Sequence, residues 1–403
     1  MGSKKEAKKK GEYLGRKEVK KENHDILLKK VLQAREAASF SLIDAAKKLG
    51  FKNYQTLSNI EKGERKINAN ELSAMALLYR RSLDYFFEPD IYADPEPLWR
   101  KSTEVDTKVD TKKVKRQFLS FLENYSNMEN LMGLKSRWKD IQKDCDKTDF
   151  SMKNFKFADG LGAEIGHLLN LGSRPAFNLL KVLEKDKGIK VLHLELENGI
   201  SAASVVEEAI GVGILINAKE KIWRRNFDLA HELFHLVTWN VFPRDEVGDG
   251  TVKTKPEQYA DTFASSLLLP EAYLLKALKE ITTDNQIRFV DIIELAKDFG
   301  VSTDAILWRL VNLRILKRSR VKEIIEKPEL REMDRALRQD LSYRDTAPKF
   351  PSRYISIACR CLIEGKISRG VFAEYLEIDR ADIDPYLTEQ GFQEENYEKI
   401  AST

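Results

Sequence analysis

The residues best suited to chemistry lie in Phe227-Asp228-Leu229-Ala230-His231-Glu232-Leu233-Phe234-His235, which contains His-Glu-x-x-His. On an α-helix, positions i and i+4 share a face one turn apart, so both imidazoles can reach one metal ion. Glu232 follows the first histidine but is rotated off it, placed to handle a water's proton without becoming a ligand. Zinc at such a site brings the pKa of water to about 7. Glu232 would take the proton as that water attacks a carbonyl and pass it to the departing amine. The chain has only five histidines. By composition the pattern should arise by chance on the order of once in a hundred such chains or fewer, so it reads as a metal site rather than two surface histidines.

A catalytic zinc takes three protein ligands and leaves one position open. With Cys145, Cys359 and Cys361 too few and too scattered for a thiolate site or a disulfide framework, the third ligand must be a histidine or a carboxylate. The stretch from Pro256 opens a helix with an apolar stripe of Ala260, Phe263, Ala264, Leu267 and Leu268. Glu257 stands one turn ahead of Asp261 on its polar face. Spacing alone leaves Glu257 open between ligand and cap, because Thr254-Lys255-Pro256-Glu257 also matches a capping box. Asp261 is either a ligand or a residue that orients a histidine N–H.

The elements that must position these groups follow from periodicity. Helices are expected over 226–240 and 256–269, and before them over 158–169 and 175–183, where apolar residues recur at helical spacing. Between them, Ile189 to Leu194 and Gly211 to Ile216 are short, Val/Ile-rich and marked by glycine, which predicts strands. The stretch Arg224 to His235, followed by Glu257-Gln258-Tyr259-Ala260-Asp261-Thr262-Phe263-Ala264 and Leu267-Leu268-Leu269-Pro270, resembles the ImmA/IrrE family of metallopeptidases. The resemblance implies a zincin-like α+β core, one Zn2+ per chain and Glu257 as the third ligand, with both strands falling where that family has its small sheet. One position departs: the family usually carries Gly where this chain has Phe234, a ring that could narrow the cleft.

A second constellation lies at the N-terminal side. Ser41 to Leu49 reads as a helix with a serine N-cap, Gly50 supplies a turn, and a helix capped by Asn53 follows. Two short helices joined in this way form a helix-turn-helix, whose second helix enters the major groove. Asn53, Tyr54, Gln55 and Ser58 are placed to read base edges. Lys52, Lys62, Arg65 and Lys66 are placed to hold phosphates. The pattern Ser41-Leu42, Ala45-Ala46, Leu49-Gly50, Leu57 to Gly63, Leu72, Met75-Ala76 and Leu83 to Phe87 resembles the XRE family of phage-repressor-like domains. That implies a five-helix domain binding double-stranded DNA, and a homodimer on a palindromic site. A second pair of this kind, Ile292 to Phe299 and Ser302 to Leu313, carries Ile306, Leu307, Trp308 and Leu310 and is too apolar for a groove, so it is expected to be scaffold.

At 403 residues with 42% hydrophobic and 33% charged, the chain has material for two or three cores. The expected organisation is a basic flexible tail (1–23), the helix-turn-helix domain (24–90), connector helices (91–150), the zinc peptidase domain (151–325) and a C-terminal helical region (326–403). A net charge of +4 announces no nucleic-acid binder by itself, but Lys4, Lys5, Lys8, Lys9, Lys10, Lys17, Lys20 and Lys21 crowd the start. There is neither a bilayer-length apolar run nor an apolar stretch behind those lysines, so no membrane partner and a cytoplasmic location are expected.

The whole is expected to be mostly α and to act as a DNA-binding zinc metallo-endopeptidase. The resemblance implies that it cleaves a repressor-type regulator in a stress, mobile-element or phage-defence response. The alternative class is a non-catalytic regulator with a zinc-peptidase-like domain as sensor or scaffold. A third reading is a zinc enzyme acting on some other amide.

Overall fold

The structure, a computed structural model, describes residues 24–36, 38, 40–79, 81, 83–87, 96–101, 111–135, 138, 153–196, 199–207, 210–242, 244–247, 254–282, 286–338 and 347–392. The lysine-rich tail and Cys145 lie outside these. Two compact units divide the chain: Met1–Pro95, Asp110–Asn124 and Ser356–Thr403 form one, Glu96–Val109 and Tyr125–Ile355 the other. No helix among the described residues is long and apolar enough to cross a membrane.

In the first unit, residues 24–36 form a helix, followed by helices Leu42–Lys48, Tyr54–Glu61 and Ala69–Leu78 and the 3-10 turn Asp84–Phe86. Ser41, Asn53 and Asn68 each accept a backbone N–H in the first turn of the helix they precede, satisfying donors that a helix start leaves unpaired. Gly50 closes the turn at φ +76°, a conformation most residues avoid. Val31, Ala45, Leu57, Ile60, Met75 and Phe86 meet in one core. Arg35 forks onto Glu61 at 2.6 and 3.0 Å, tying the first helix to the third. Where five α-helices were expected, the described residues of this segment hold four and the 3-10 turn. The same unit contains most of helix Ser352–Ile363, then Arg369–Leu376 and Ile383–Glu389. Cys359 and Cys361 are buried and unbridged, and burial pushes their thiols up to about 12 and about 11.

The second unit is built on a mixed four-stranded sheet of β1 (Leu98–Lys101), β2 (Lys190–Leu194), β3 (Ile200–Glu207) and β4 (Gly211–Asn217), in the order β1-β3-β4-β2. β1 and β4 run antiparallel to β3, and β2 runs parallel to β4. β2 and β4 match the strands read from the sequence. β3 did not announce itself, because Ser201, Ala202, Ala203 and Ser204 are small and only weakly strand-forming. Its first six residues are all buried. β1 lies within what reads as a connector: four residues beside a bulge leave too short a pattern to recognise.

Three helices form the layer that matters for function. Ile222–Val237 contacts β3 and β4, and Lys255–Leu268 packs against both it and Phe155–Leu168. The last contact depends on Gly162: a methyl group there would stand 2.6 Å from the carbonyl oxygen of Phe263 and 2.9 Å from Ser266 Cβ. Phe234 lies in the centre of the same core, fully buried with its ring near Phe242 and Phe263. Helices Phe289–Phe299 and Thr303–Asn312 meet at Gly300 and bury Ile306, Leu307 and Leu310. From this pair the buried Arg309 donates to the Leu269 carbonyl, Ser266 Oγ and Asp159, clamping the end of Lys255–Leu268. Scaffold, not groove reading, is what this pair does in the fold.

Gly162→Ala is expected to cost about 1–3 kcal/mol by overpacking, and to weaken metal binding as well because it displaces one of the helices at the site described below. Urea unfolding and metal titration on the same sample check both. Phe234→Ala is expected to cost about 3–5 kcal/mol, as a fully buried ring should; urea unfolding at constant m-value measures it.

Candidate functional site

Helix Ile222–Val237 buries its whole second half, from Asp228 to Val237. His231 and His235 are 1% and 4% exposed, and their rings lie 5.0 Å apart on one face. Glu257 enters from the first turn of helix Lys255–Leu268. Its Oε2 lies 3.1 Å from His231 Nε2, its Oε1 lies 3.1 Å from His235 Nε2, and the two Nε2 atoms are 3.2 Å apart. Among the described residues these three are the group able to hold a metal ion.

The donor set fits zinc. Ligands about 2.0–2.1 Å from a tetrahedral ion stand about 3.3–3.5 Å from one another, close to the separations here. When both Nε2 atoms present lone pairs, as metal ligands do, they repel at this distance unless a cation is shared between them. The tautomer agrees: His231 Nδ1 lies 3.0 Å from Asp261 Oδ1, so Nδ1 carries the hydrogen and Nε2 keeps its lone pair. Burial works against ionising Glu257, yet the two imidazoles that face it hold its carboxyl well below the usual range. Thr254 precedes this helix but does not cap it by its side chain; its hydroxyl donates to the Val247 carbonyl. The carboxylate of Glu257 is left to the histidines.

Glu232 is 1% exposed, and neither of its oxygens closes a hydrogen bond of ordinary geometry. Burial raises its pKa, against the pull of His235, His231, the Ser204 hydroxyl on β3 and Arg100. A buried, unpartnered carboxylate is costly to keep, and this one stands beside the three donors. Its readiness to accept a proton is what general-base work near neutral pH requires.

Beside His235 opens a cavity of ≈ 230 Å³ lined by Leu98, Thr238, Trp239, Phe242 and Val247. Phe234 is not on its wall. Its ring packs in the core near Phe242 and Phe263.

Arg100 went unnoticed in the sequence. Its guanidinium meets Asp228 Oδ1 at 2.5 Å, with Asp228 itself fully buried, and Asp261 Oδ1 at 3.5 Å. An isolated arginine in a polar stretch carries no signal; only the β1–β3 pairing brings it here.

In the helix-turn-helix segment, Lys52, Asn53, Tyr54, Gln55, Lys62 and Lys66 are exposed and Ser58 is half-buried, while Leu57 and Ile60 face the core. Asn53 spends its Oδ1 on the N-cap, accepting from the Thr56 backbone N–H and hydroxyl. Arg65 is turned onto Glu71 by two hydrogen bonds, of 3.1 and 2.7 Å, so its head group is engaged within the domain.

Two segments of the chain match known family models. No curated protein matches the chain in a sequence search. Residues 184–311 match the family model of the IrrE N-terminal-like domain, a peptidase family, and residues 31–86 match that of the Helix-turn-helix. The two matches fall in the order that the sequence resembles, a helix-turn-helix segment ahead of a segment similar to the IrrE N-terminal-like domain.

Proposed function

We propose that this protein is a DNA-binding zinc metallo-endopeptidase that cuts a regulator protein of repressor type. The observation that carries the reading is the convergence of His231, His235 and Glu257 beside the buried, unpartnered Glu232. Zinc bound by the three donors would supply Lewis acidity, the chemistry that brings water near a pKa of 7. Asp261 orients His231 through Nδ1. Glu232 takes the proton of the attacking water on its carboxylate and returns it to the departing amine nitrogen. The cavity beside His235 borders the space left for a peptide, and a sheet edge can hold it as an added strand.

The helix Tyr54–Glu61 would lie in the major groove, with Tyr54, Gln55 and Ser58 on base edges and Lys52 and Lys62 on phosphates. Asn53 and Arg65 serve the domain's own geometry first. Palindromic DNA would be bound by a homodimer. We take residues 24–90 as the DNA-binding domain and 151–325 as the peptidase domain, with the tail, connector and C-terminal helices around them. A reader of DNA works where DNA is, and a cytoplasmic location belongs to this proposal. Proteolysis attached to such a reader suits transcriptional control in a stress, mobile-element or phage-defence response.

The non-catalytic reading finds little support at Glu232, since a sensor needs the ligands but not an orphaned buried carboxylate next to them. Glu232→Gln is expected to keep metal and DNA binding and to lose at least about 100-fold in cleavage. Mass spectrometry of new protein termini in cells expressing wild type or Glu232→Gln checks this. Termini that persist undiminished in the variant would remove Glu232 as the base.

A further inference from the structure

We infer that Arg100 is a positioning residue of the metal centre, holding Asp261 where it orients His231. The inference rests on the metal-site reading above and adds a residue that neither family match contains, since these cover 31–86 and 184–311. Arg100 lies on β1, paired with Ala202 of β3. Along a strand, alternate side chains share a face, and Leu98 and Arg100 both turn toward the site. Leu98 lines the cavity beside His235. Arg100 reaches Asp228 on one ligand-bearing helix and Asp261 on the other.

Asp228 is the anchor. Its carboxylate is fully buried, one turn ahead of His231, and also meets Arg224 at 3.2 Å. The Phe227 ring lies 5.6 Å from the guanidinium, restricting it further. Held there, Arg100 presents its second nitrogen to Asp261 Oδ1, the same oxygen that faces His231 Nδ1. One guanidinium thus braces the two helices that carry the three ligands. Arginine suits this because its planar fork can address two carboxylates at once, whereas lysine offers a point charge. Asp261 is a quarter exposed, so a positive charge on its inner side favours the orientation that faces His231.

Zinc affinity of the full chain, measured by competition with a chelator, tests the assignment, with thermal unfolding of each apo sample alongside. Asp228→Asn alone is the reference, because it relieves the buried charge that loss of Arg100 would strand. Adding Arg100→Met to that background is expected to lower zinc affinity about 10–100-fold, the usual cost of losing a partner behind a metal ligand, with little further change in unfolding. In an Asp261→Asn background, the added Arg100→Met and Asp228→Asn pair should change affinity less than twofold beyond Asp261→Asn. Arg100→Lys keeps the charge and the fold, and should lower affinity too. Unchanged zinc affinity in Arg100→Lys and in the Arg100→Met/Asp228→Asn variant would overturn the inference and leave Arg100 a merely structural partner of Asp228. A wild type that binds no zinc would instead overturn the metal-site reading itself.

Discussion

Three lone pairs on two helices must meet at one point, and most of the second unit can be understood from that constraint. His231 and His235 share a helix face by simple periodicity, but Glu257 arrives from a separate helix. Its carboxylate comes within 3.1 Å of both imidazoles only if the two helices keep a fixed separation and rotation. Left empty of cations, such a cluster places polar groups face to face in a buried space, which is unfavourable unless neighbours fix them. The neighbours are there. Gly162 lets a third helix press against Lys255–Leu268, Arg309 clamps its far end, and Phe234 fills the space between the ligand helices and Phe242.

The sheet serves the same end. β3 is made of small residues over the stretch that faces the ligand helix, so helix and sheet approach closely and Ser204 comes beside Glu232. β1 adds a strand from a distant part of the chain and brings Arg100 to the two aspartates. Function and fold are joined here: residues that look like connector in the sequence help to complete the site.

What could be read in advance was whatever a short local pattern encodes. His-Glu-x-x-His, the stripe around Ala260 and Phe263, and the Val/Ile runs of β2 and β4 carry their meaning within a few residues. The capped helices at Ser41 and Asn53 did likewise. What could not be read depends on partners far apart. β3 is strand because of what packs on it, not because Ser201 to Ser204 favour extended backbone. Whether Glu257 caps a helix or faces a metal site was undecidable from spacing, since both uses want a carboxylate in the first turn; the structure gives the Thr254 hydroxyl to Val247 and the carboxylate to the histidines. The direction of the Phe234 ring was open for a similar reason: a bulky side chain inside such a motif can face either the site or the core. Arg65 was readable as a basic residue but not as the partner of Glu71, six residues away across a turn.

If His231, His235 and Glu257 form a metal site, the purified protein carries the metal, and elemental analysis measures it. Wild type is expected to carry about one zinc per chain, with His235→Ala and Glu257→Ala carrying little or none while remaining folded by circular dichroism. A wild type that stays metal-free after zinc is supplied, or variants that keep a full complement, would mean that these three residues hold no metal.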